Sequence, residues 1–353
     1  MRSSEIDRCY MRRCLQLAEA GRGYVSPNPM VGAVIVCDGR IIGEGYHRRY
    51  GEAHAEVNAV ASVGNETLLS RSTLYVSLEP CSHYGKTPPC SKLIIDKKIP
   101  RVVVGCLDPF PEVSGRGVAM LREAGVEVIT GVLEAECREQ NRAFMTAHAT
   151  RRPYVVLKWA QSRDGFIDRR RTPDEEPQKF SDELTRQWAH KLRAECDAIM
   201  VGAGTAMFDN PSLSLRHWPG RRSPMRVLVA GNLDRLVHTR LLADDRPTLL
   251  FVPDTAVVPS VSPGVEVIAI DYTAQVLPQI LENLYIKGVT SLLVEGGAYT
   301  SQQFIDSGLW NEAHVETAPI ELTEGVAAPI LRGYTSSKRR KFGEREIATY
   351  FHR

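Results

Sequence analysis

The sequence predicts an α/β chain folded as two successive domains. Three observations carry that prediction. Short apolar runs of strand character alternate with segments of helical periodicity, the pattern of sheets covered by helices. A length of 353 residues leaves room for two cores. The polar, basic stretch His148-Ala149-Thr150-Arg151-Arg152-Pro153 separates two such series, so the domains are read as residues 1–148 and 149–353.

In the first domain, Ile6, Tyr10, Cys14 and Leu17 recur at helical spacing and predict an opening amphipathic helix. Pro27 and Pro29 end that region, Val31 to Cys37 reads as a buried strand, and Asp38-Gly39 is a hairpin turn into Ile41-Ile42-Gly43. His54 through Val60 reads as a helix with His54 and Glu56 in its first turn. Thr73 to Glu79 is a strand that delivers Cys81 at its C-terminal end, and Cys90 opens the next helix, where the helix start favours a thiolate. Arg101 to Cys106 and Val126 to Thr130 are further strands around a helix from Val118 to Ala124. This alternation predicts three layers, with a site where strand ends meet helix N-termini.

In the second domain, Tyr154 to Ala160 is a strand and Asp164-Gly165 a turn. Ser181 is read as the N-cap of a helix through Arg193. Asp197 to Gly202, Met225 to Ala230 and Ser291 to Glu295 are strands, and Ala274 to Lys287 is a helix feeding the last of these. The run from Thr335, with Lys338-Arg339-Arg340-Lys341, is a solvated basic tail or a last strand. Two glycine turns follow strands, Gly202-Ala203-Gly204-Thr205 and Gly296-Gly297. Glycine lets backbone N–H groups approach a phosphate, but it serves tight turns equally well. The first turn also lacks the third glycine of a dinucleotide fingerprint, with Met207 in its place.

The net charge of +2 gives no basic face for nucleic acid and no polybasic membrane anchor. No run is long enough to span a bilayer, and Met1 to Glu5 carry no apolar leader. The 8 cysteines are dispersed, which argues against a disulfide framework and for a reducing, cytoplasmic setting.

The chemistry concentrates in His54-Ala55-Glu56 and in Pro80-Cys81-Ser82-His83-Tyr84-Gly85-Lys86-Thr87-Pro88-Pro89-Cys90. His54, Cys81 and Cys90 supply three zinc ligands and leave one tetrahedral position for water. Glu56 is placed to exchange protons with that water, as in zinc nucleobase deaminases. The loop between the cysteines is longer than the two residues usual there, and it brings His83 and Lys86 to the rim, where a cation can hold a phosphate. The alternatives are a structural zinc knuckle closed by His83, or buried cysteines that never meet His54. A glutamate beside a ligand histidine has no structural purpose. Asn28 is either a turn residue or a contact to a pyrimidine edge, and Asp108 either caps a turn or faces substrate. His47 is core, surface or substrate-facing.

These motifs resemble the deaminase domain of the bifunctional riboflavin-biosynthesis RibD family. The resemblance starts at Pro27-Asn28-Pro29-Met30-Val31-Gly32-Ala33-Val34 and continues through Leu107-Asp108-Pro109-Phe110-Pro111 and Gly115-Arg116-Gly117. In the second domain Leu157-Lys158, Asp164-Gly165, Leu192-Arg193-Ala194, Thr205, Asp209-Asn210-Pro211-Ser212-Leu213, Arg216 and Val294-Glu295-Gly296-Gly297 are similar to the family's reductase domain in order and spacing.

The resemblance implies a cytidine-deaminase-like three-layer α/β/α domain followed by a dihydrofolate-reductase-like α/β domain. It implies zinc-dependent deamination of 2,5-diamino-6-ribosylamino-4(3H)-pyrimidinone 5′-phosphate, with Glu56 catalytic. NADPH-dependent reduction of the ribosyl chain then gives 5-amino-6-ribitylamino-uracil 5′-phosphate. By matching position, Gln161, Lys179, Thr205, Asp209, Gly296 and Gly297 contact the cofactor. Asn28, Lys86, Arg193, Leu213, Arg216 and Glu295 contact the substrate. Lys179 stands where the family often has an aromatic residue, so that contact is lost or passes to Phe180. The expected partners are a small phosphorylated pyrimidine and a second copy of the chain, with no nucleic acid and no membrane.

Overall fold

A computed structural model describes residues 4–83, 88–110, 114–219, 223–234 and 236–352. The chain divides into two compact units, Met1–Arg151 and Arg152–Arg353. No helix among the described residues is long and apolar enough to cross a membrane.

The first unit holds strands β1 (Gly32–Cys37), β2 (Arg40–Tyr46), β3 (Thr73–Leu78), β4 (Arg101–Cys106) and β5 (Glu127–Ile129) in one sheet of order β2-β1-β3-β4-β5. Its helices are α1 (Glu5–Glu19), α2 (Ala55–Ala61), α3 (Cys90–Asp96), α4 (Arg116–Glu123), α5 (Glu134–Gln140) and α6 (Arg142–Thr150). The β1–β2 hairpin turns at Asp38 and Gly39, which both take positive φ. β1 pairs antiparallel with β3, whereas β3, β4 and β5 run parallel.

Alternation along the strands makes the three layers. Ala33 and Ile35, Leu74 and Val76, Val102 and Val104 pack with Ala59 of α2, Ile94 of α3 and Leu121 of α4. The intervening Val34, Tyr75 and Val103 face the opposite way, toward Met11 and Cys14 of α1, Cys137 of α5 and Met145 of α6. Because α6 runs through Thr150, the polar residues His148 to Thr150 are helical and do not form a linker. Their polarity belongs to a helix end.

The second unit is built on a nine-stranded sheet of order β11-β10-β9-β8-β12-β6-β13-β16-β15. In chain order it contains β6 (Tyr154–Gln161), β7 (Phe166–Asp168), α7 (Glu183–Glu195), β8 (Ala198–Gly202), α8 (Ala203–Asp209), β9 (Met225–Val229) and α9 (Arg240–Ala243). There follow β10 (Thr248–Pro253), β11 (Val265–Ile270), α10 (Val276–Ile286), β12 (Ser291–Val294) and α11 (Ala298–Asp306). The unit ends with β13 (Glu312–Thr317), β14 (Val326–Ala327), β15 (Tyr334–Phe342) and β16 (Arg345–His352). β11 through β13 are parallel neighbours, and β16 and β15 close the other edge antiparallel. One sheet face buries Leu157, Met200, Phe251 and Val294 under Ile280 and Leu284 of α10 and Phe304 of α11. On β13 the alternate Glu312, His314 and Glu316 are buried instead, and Trp188 of α7 packs its ring edge-on to His314.

One local reading changes, and one that the sequence leaves open resolves as a strand. The N-cap of α7 is Asp182, which accepts the Thr185 N–H at 2.9 Å in a capping box. Ser181 is drawn away, donating to Glu316 Oε2 at 2.5 Å. The basic run Lys338 to Lys341 lies in β15, an exposed edge strand whose cations deter edge-to-edge pairing.

Helix α2 approaches β2 at Gly45, where a Cβ would lie 2.3 Å from Ala59 N and 2.5 Å from Ala55 O. Backbone cannot yield there as a side chain can. Gly45→Ala is therefore expected to cost about 1–3 kcal/mol and to displace the helix that carries Glu56. Chemical denaturation together with bound-zinc content checks this.

Candidate active sites

In the first unit, three elements deliver one cluster. His54 is the N-cap of α2, one residue before the first turn in which the sequence places it, with extended backbone. Cys81 follows β3, and Cys90 is the first residue of α3. The Cys90 and Cys81 sulfurs lie 3.4 and 3.6 Å from His54 Nδ1. All three ligand atoms lie within 4.8 Å of one another. Neither Glu56 nor His83 joins that set among the described residues, and His83 is exposed. Three ligands without a fourth describe an open metal site.

The protonation energetics fit a cation. The Cys90 thiol and backbone N–H, with His54, hold the Cys81 thiol down at about 4. The resulting negative charge pushes the Cys90 thiol up, outweighing the helix start that by itself favours a thiolate. Two thiolates this close need a positive ion between them, and zinc suits an imidazole and two sulfurs. His54 is raised by its hydrogen bond with Cys81. Glu56 is buried, and burial followed by the Cys81 charge pushes its carboxyl up to about 7.

Other polar residues surround the cluster. His47 is buried, its Nδ1 is 3.1 Å from the Ala53 carbonyl and its ring meets His54 edge-on at 5.5 Å. The carbonyl requires the proton on Nδ1, so Nε2 accepts from Asn28 Nδ2 at 3.1 Å. Asn28 thus stands next to the histidine that packs on the ligand histidine. Asp108 caps a turn, accepting the Phe110 N–H at 2.9 Å. Lys86 lies outside the described residues.

One residue that sequence reasoning passes over is Glu79. Its buried carboxylate accepts the N–H groups of Asp108, Gly115, Gly117 and Val118 at 2.9–3.2 Å, tying the end of β3 to the start of α4. A strand-end glutamate before Pro-Cys carries no local signal of that role.

In the second unit the two glycine turns meet. A Cβ on Gly296 would lie 2.7 Å from Val201 and 3.0 Å from Thr205 Oγ1, and Gly297 has φ +76°. A Cβ on Gly202 would lie 2.5 Å from Thr300 Oγ1. Glycine is required because α8 and α11 start side by side. Next to Gly296, Glu295 grips Arg193 of α7 through Oε1–Nε at 2.8 Å and Oε2–Nη2 at 2.5 Å. Arg193 Nη1 also donates to the Ser214 carbonyl at 3.1 Å. His190, whose burial pulls it down to about 4, is neutral and accepts the Arg216 N–H at 3.1 Å. Leu213 is buried with φ +49°, a conformation strained for leucine and common at functional sites.

Arg193, Asp209, Leu213 and Arg216 line one cavity of about 540 Å³. Asp209 is bound to Arg171, which sequence reasoning also passes over and which donates to Asp168 Oδ2 at 2.6 Å and the Phe208 carbonyl at 2.9 Å. Gln161 ends β6 and accepts from Trp159 Nε1 at 2.8 Å. Lys179 projects into solvent, with its ammonium 3.9 Å from Glu176, while Phe180 is buried and its carbonyl accepts from Arg345. Neither lines the cavity.

Comparison with known proteins matches residues 4–106 to the cytidine and deoxycytidylate deaminase zinc-binding region. Residues 153–349 match the RibD C-terminal domain. Riboflavin biosynthesis protein RibD of Aquifex aeolicus is 39% identical over 92% of this chain and 90% of its own length. That of Bacillus amyloliquefaciens is 39% identical over 94% and 90%. A diaminohydroxyphosphoribosylaminopyrimidine deaminase/5-amino-6-(5-phosphoribosylamino)uracil reductase from Thermotoga maritima, known from its crystal structure, superposes with a TM-score of 0.88 at 35% identity. The match covers 98% of this chain and 99% of that one. Acinetobacter baumannii RibD superposes at 0.86 with 29% identity, over 98% and 99%.

The three-ligand cluster is expected to hold about one zinc per chain. Cys90→Ser should release it, whereas His83→Ala should retain it. Atomic emission on dialysed protein checks both, and loss of metal in the His83 variant would restore the closed structural knuckle.

Proposed function

This chain belongs to the RibD family of bifunctional riboflavin-biosynthesis enzymes, and from that premise we propose which residues carry each of its two reactions. The first unit is a zinc-type deaminase domain and the second a reductase domain. The substrate we assign to the first is 2,5-diamino-6-ribosylamino-4(3H)-pyrimidinone 5′-phosphate. The second then reduces the deaminated product to the ribityl compound.

The observation that carries the deaminase assignment is the buried Glu56 beside an open His54-Cys81-Cys90 set. Zinc held by those three residues makes a nucleophilic water available near neutral pH. Glu56, whose burial lifts it to about 7, is poised both to accept a proton and to return one. In the overall step the bond from the ring carbon to its exocyclic amino nitrogen breaks, a C–O bond forms at the same carbon, and Glu56 relays the proton from water to the departing ammonia. Asn28, oriented by His47, is assigned to a polar edge of the pyrimidine. Lys86 is assigned to the substrate on the family pattern alone.

In the second unit, Thr205 and the Gly296-Gly297 turn are assigned to the cofactor with Asp209, whose carboxylate Arg171 orients, and Gln161 at the strand end. NADPH is the hydride donor we assign, in keeping with the reductase fold. Arg193, Leu213 and Arg216 line the cavity assigned to the sugar phosphate, and Glu295, assigned to the same substrate, holds Arg193 in place. Lys179, exposed beside Glu176, is assigned to the cofactor on the family pattern alone. The working assembly is a homo-oligomer.

Glu56→Gln is expected to keep its zinc and lose about 10²–10⁴-fold in ammonia release. The wild type should release ammonia without NADPH and oxidise NADPH only once deaminated substrate is present. Ammonia assays with absorbance of the cofactor decide. Ammonia without NADPH oxidation would confine the activity to the first unit, and none from zinc-loaded protein would overturn the deaminase reading.

A further inference from the structure

The cavity of the second unit has an unbalanced charge. Three guanidinium groups line it, those of Arg193, Arg216 and Arg240, with one carboxylate, Asp209. Asp209 is already bound to Arg171, and Arg193 is already matched by Glu295. Among the described residues the Arg216 guanidinium donates only to the hydroxyls of Ser212 and of Ser214, the latter at 2.7 Å. Among the described residues the Arg240 side chain makes neither hydrogen bond nor ion pair. Two uncompensated cations therefore face one concave space. Burial and then the charges of Arg193, Arg246 and Arg240 pull Arg216 below its ordinary value.

The backbone holds this arrangement in place. Asn210 ends α8 at φ +39°, a left-handed conformation that asparagine tolerates better than most residues. Its Oδ1 accepts the Arg240 N–H at 2.7 Å, which fixes the first residue of α9 to the end of α8. Arg246 donates to the Ser212 carbonyl and is itself held by Asp244, which also pairs with the buried Arg226. The loop carrying Ser212 and Ser214 is thus tied on one side to Arg246 and on the other to Arg193. Such a site is organised before any ligand arrives, which lowers the cost of binding.

We propose that Arg240 joins Arg216 and the Ser212 and Ser214 hydroxyls in a binding pocket for a phosphomonoester dianion, as the second guanidinium of that pocket. Two uncompensated cations match the two charges of a terminal phosphate, and planar guanidinium groups suit its oxygens. The two serine oxygens lie 3.0 Å apart, so one hydroxyl can donate to the other while the second proton serves the ligand. The inference rests on the reductase reading above. That reading offers two sources of the same chemistry, the 5′-phosphate of the sugar substrate and the 2′-phosphate of NADPH.

The test uses the full-length zinc-loaded protein as wild type, Arg240→Ala and Arg240→Lys. Ammonia release in the same preparations shows that each variant is active in its first unit, and a kcat for NADPH oxidation near that of the wild type shows that the second unit is folded. Arg240→Ala is expected to raise one KM by about 10–100-fold, the usual effect of losing a charge-assisted contact, with kcat little changed. Arg240→Lys should recover part of the loss. A rise in the KM for the deaminated sugar phosphate places the substrate's phosphate in the pocket. A rise for NADPH but not for NADH places the cofactor's 2′-phosphate there.

Both KM values within twofold of wild type would overturn the proposal. If the wild type itself oxidises no NADPH, the reductase reading fails separately, and calorimetry with inorganic phosphate decides the pocket. Binding that Arg240→Ala abolishes upholds it, and equal heats in the two proteins sink it.

Discussion

The sites of both units depend on one feature of sheets covered by helices: the ends of the strands face the starts of the helices. Helix starts carry unbonded N–H groups and a positive field, and they cluster where parallel strands stop. In the first unit β3 stops before Cys81, α3 starts at Cys90, and α2 is capped by His54. In the second, β8 stops at Gly202 and β12 before Glu295, with α8 and α11 beginning directly after. The reactive residues are short extensions of elements whose main length is buried core. Their positions are fixed by packing that has nothing to do with chemistry.

Within that frame the two sites use charge in opposite ways. The first concentrates negative groups, Cys81, Cys90 and Glu56, in a buried space where they cannot all ionise without a cation. The second concentrates positive ones and neutralises them selectively, with Glu295 on Arg193 and Asp209 on Arg171. Removing one partner of such a pair strands the other charge, so these contacts act on orientation more than on net stability. Glu79 does comparable work with no cationic partner among the described residues. Its carboxylate gathers four backbone N–H groups and fixes the segment containing Asp108 relative to β3.

The legible parts of the chain were those written in local pattern. The alternation of β1, β3 and β4 and the hairpin at Asp38-Gly39 depend on neighbours a few residues away, and the structure places them as read, whereas His54, Cys81 and Cys90 are legible as residue types in two separate motifs that the fold brings together. The misreadings have a common cause. Ser181 is as good a cap as Asp182 in isolation, and only Glu316, remote in sequence, diverts it. His148 to Thr150 look like linker because polarity marks helix ends and loops alike.

The amino-acid sequence by itself determined the α/β character of the two units and the family to which its motifs point, because periodicity and motif residues are read from short stretches. Tertiary structure alone decided which charges are satisfied. Arg171 and Arg240 are both unremarked arginines in the sequence. Yet one is bonded to Asp209 and the other is left without a partner among the described residues at a cavity wall. Whether a cation is neutralised depends on side chains brought close by folding, and proximity in space is not encoded in any local run.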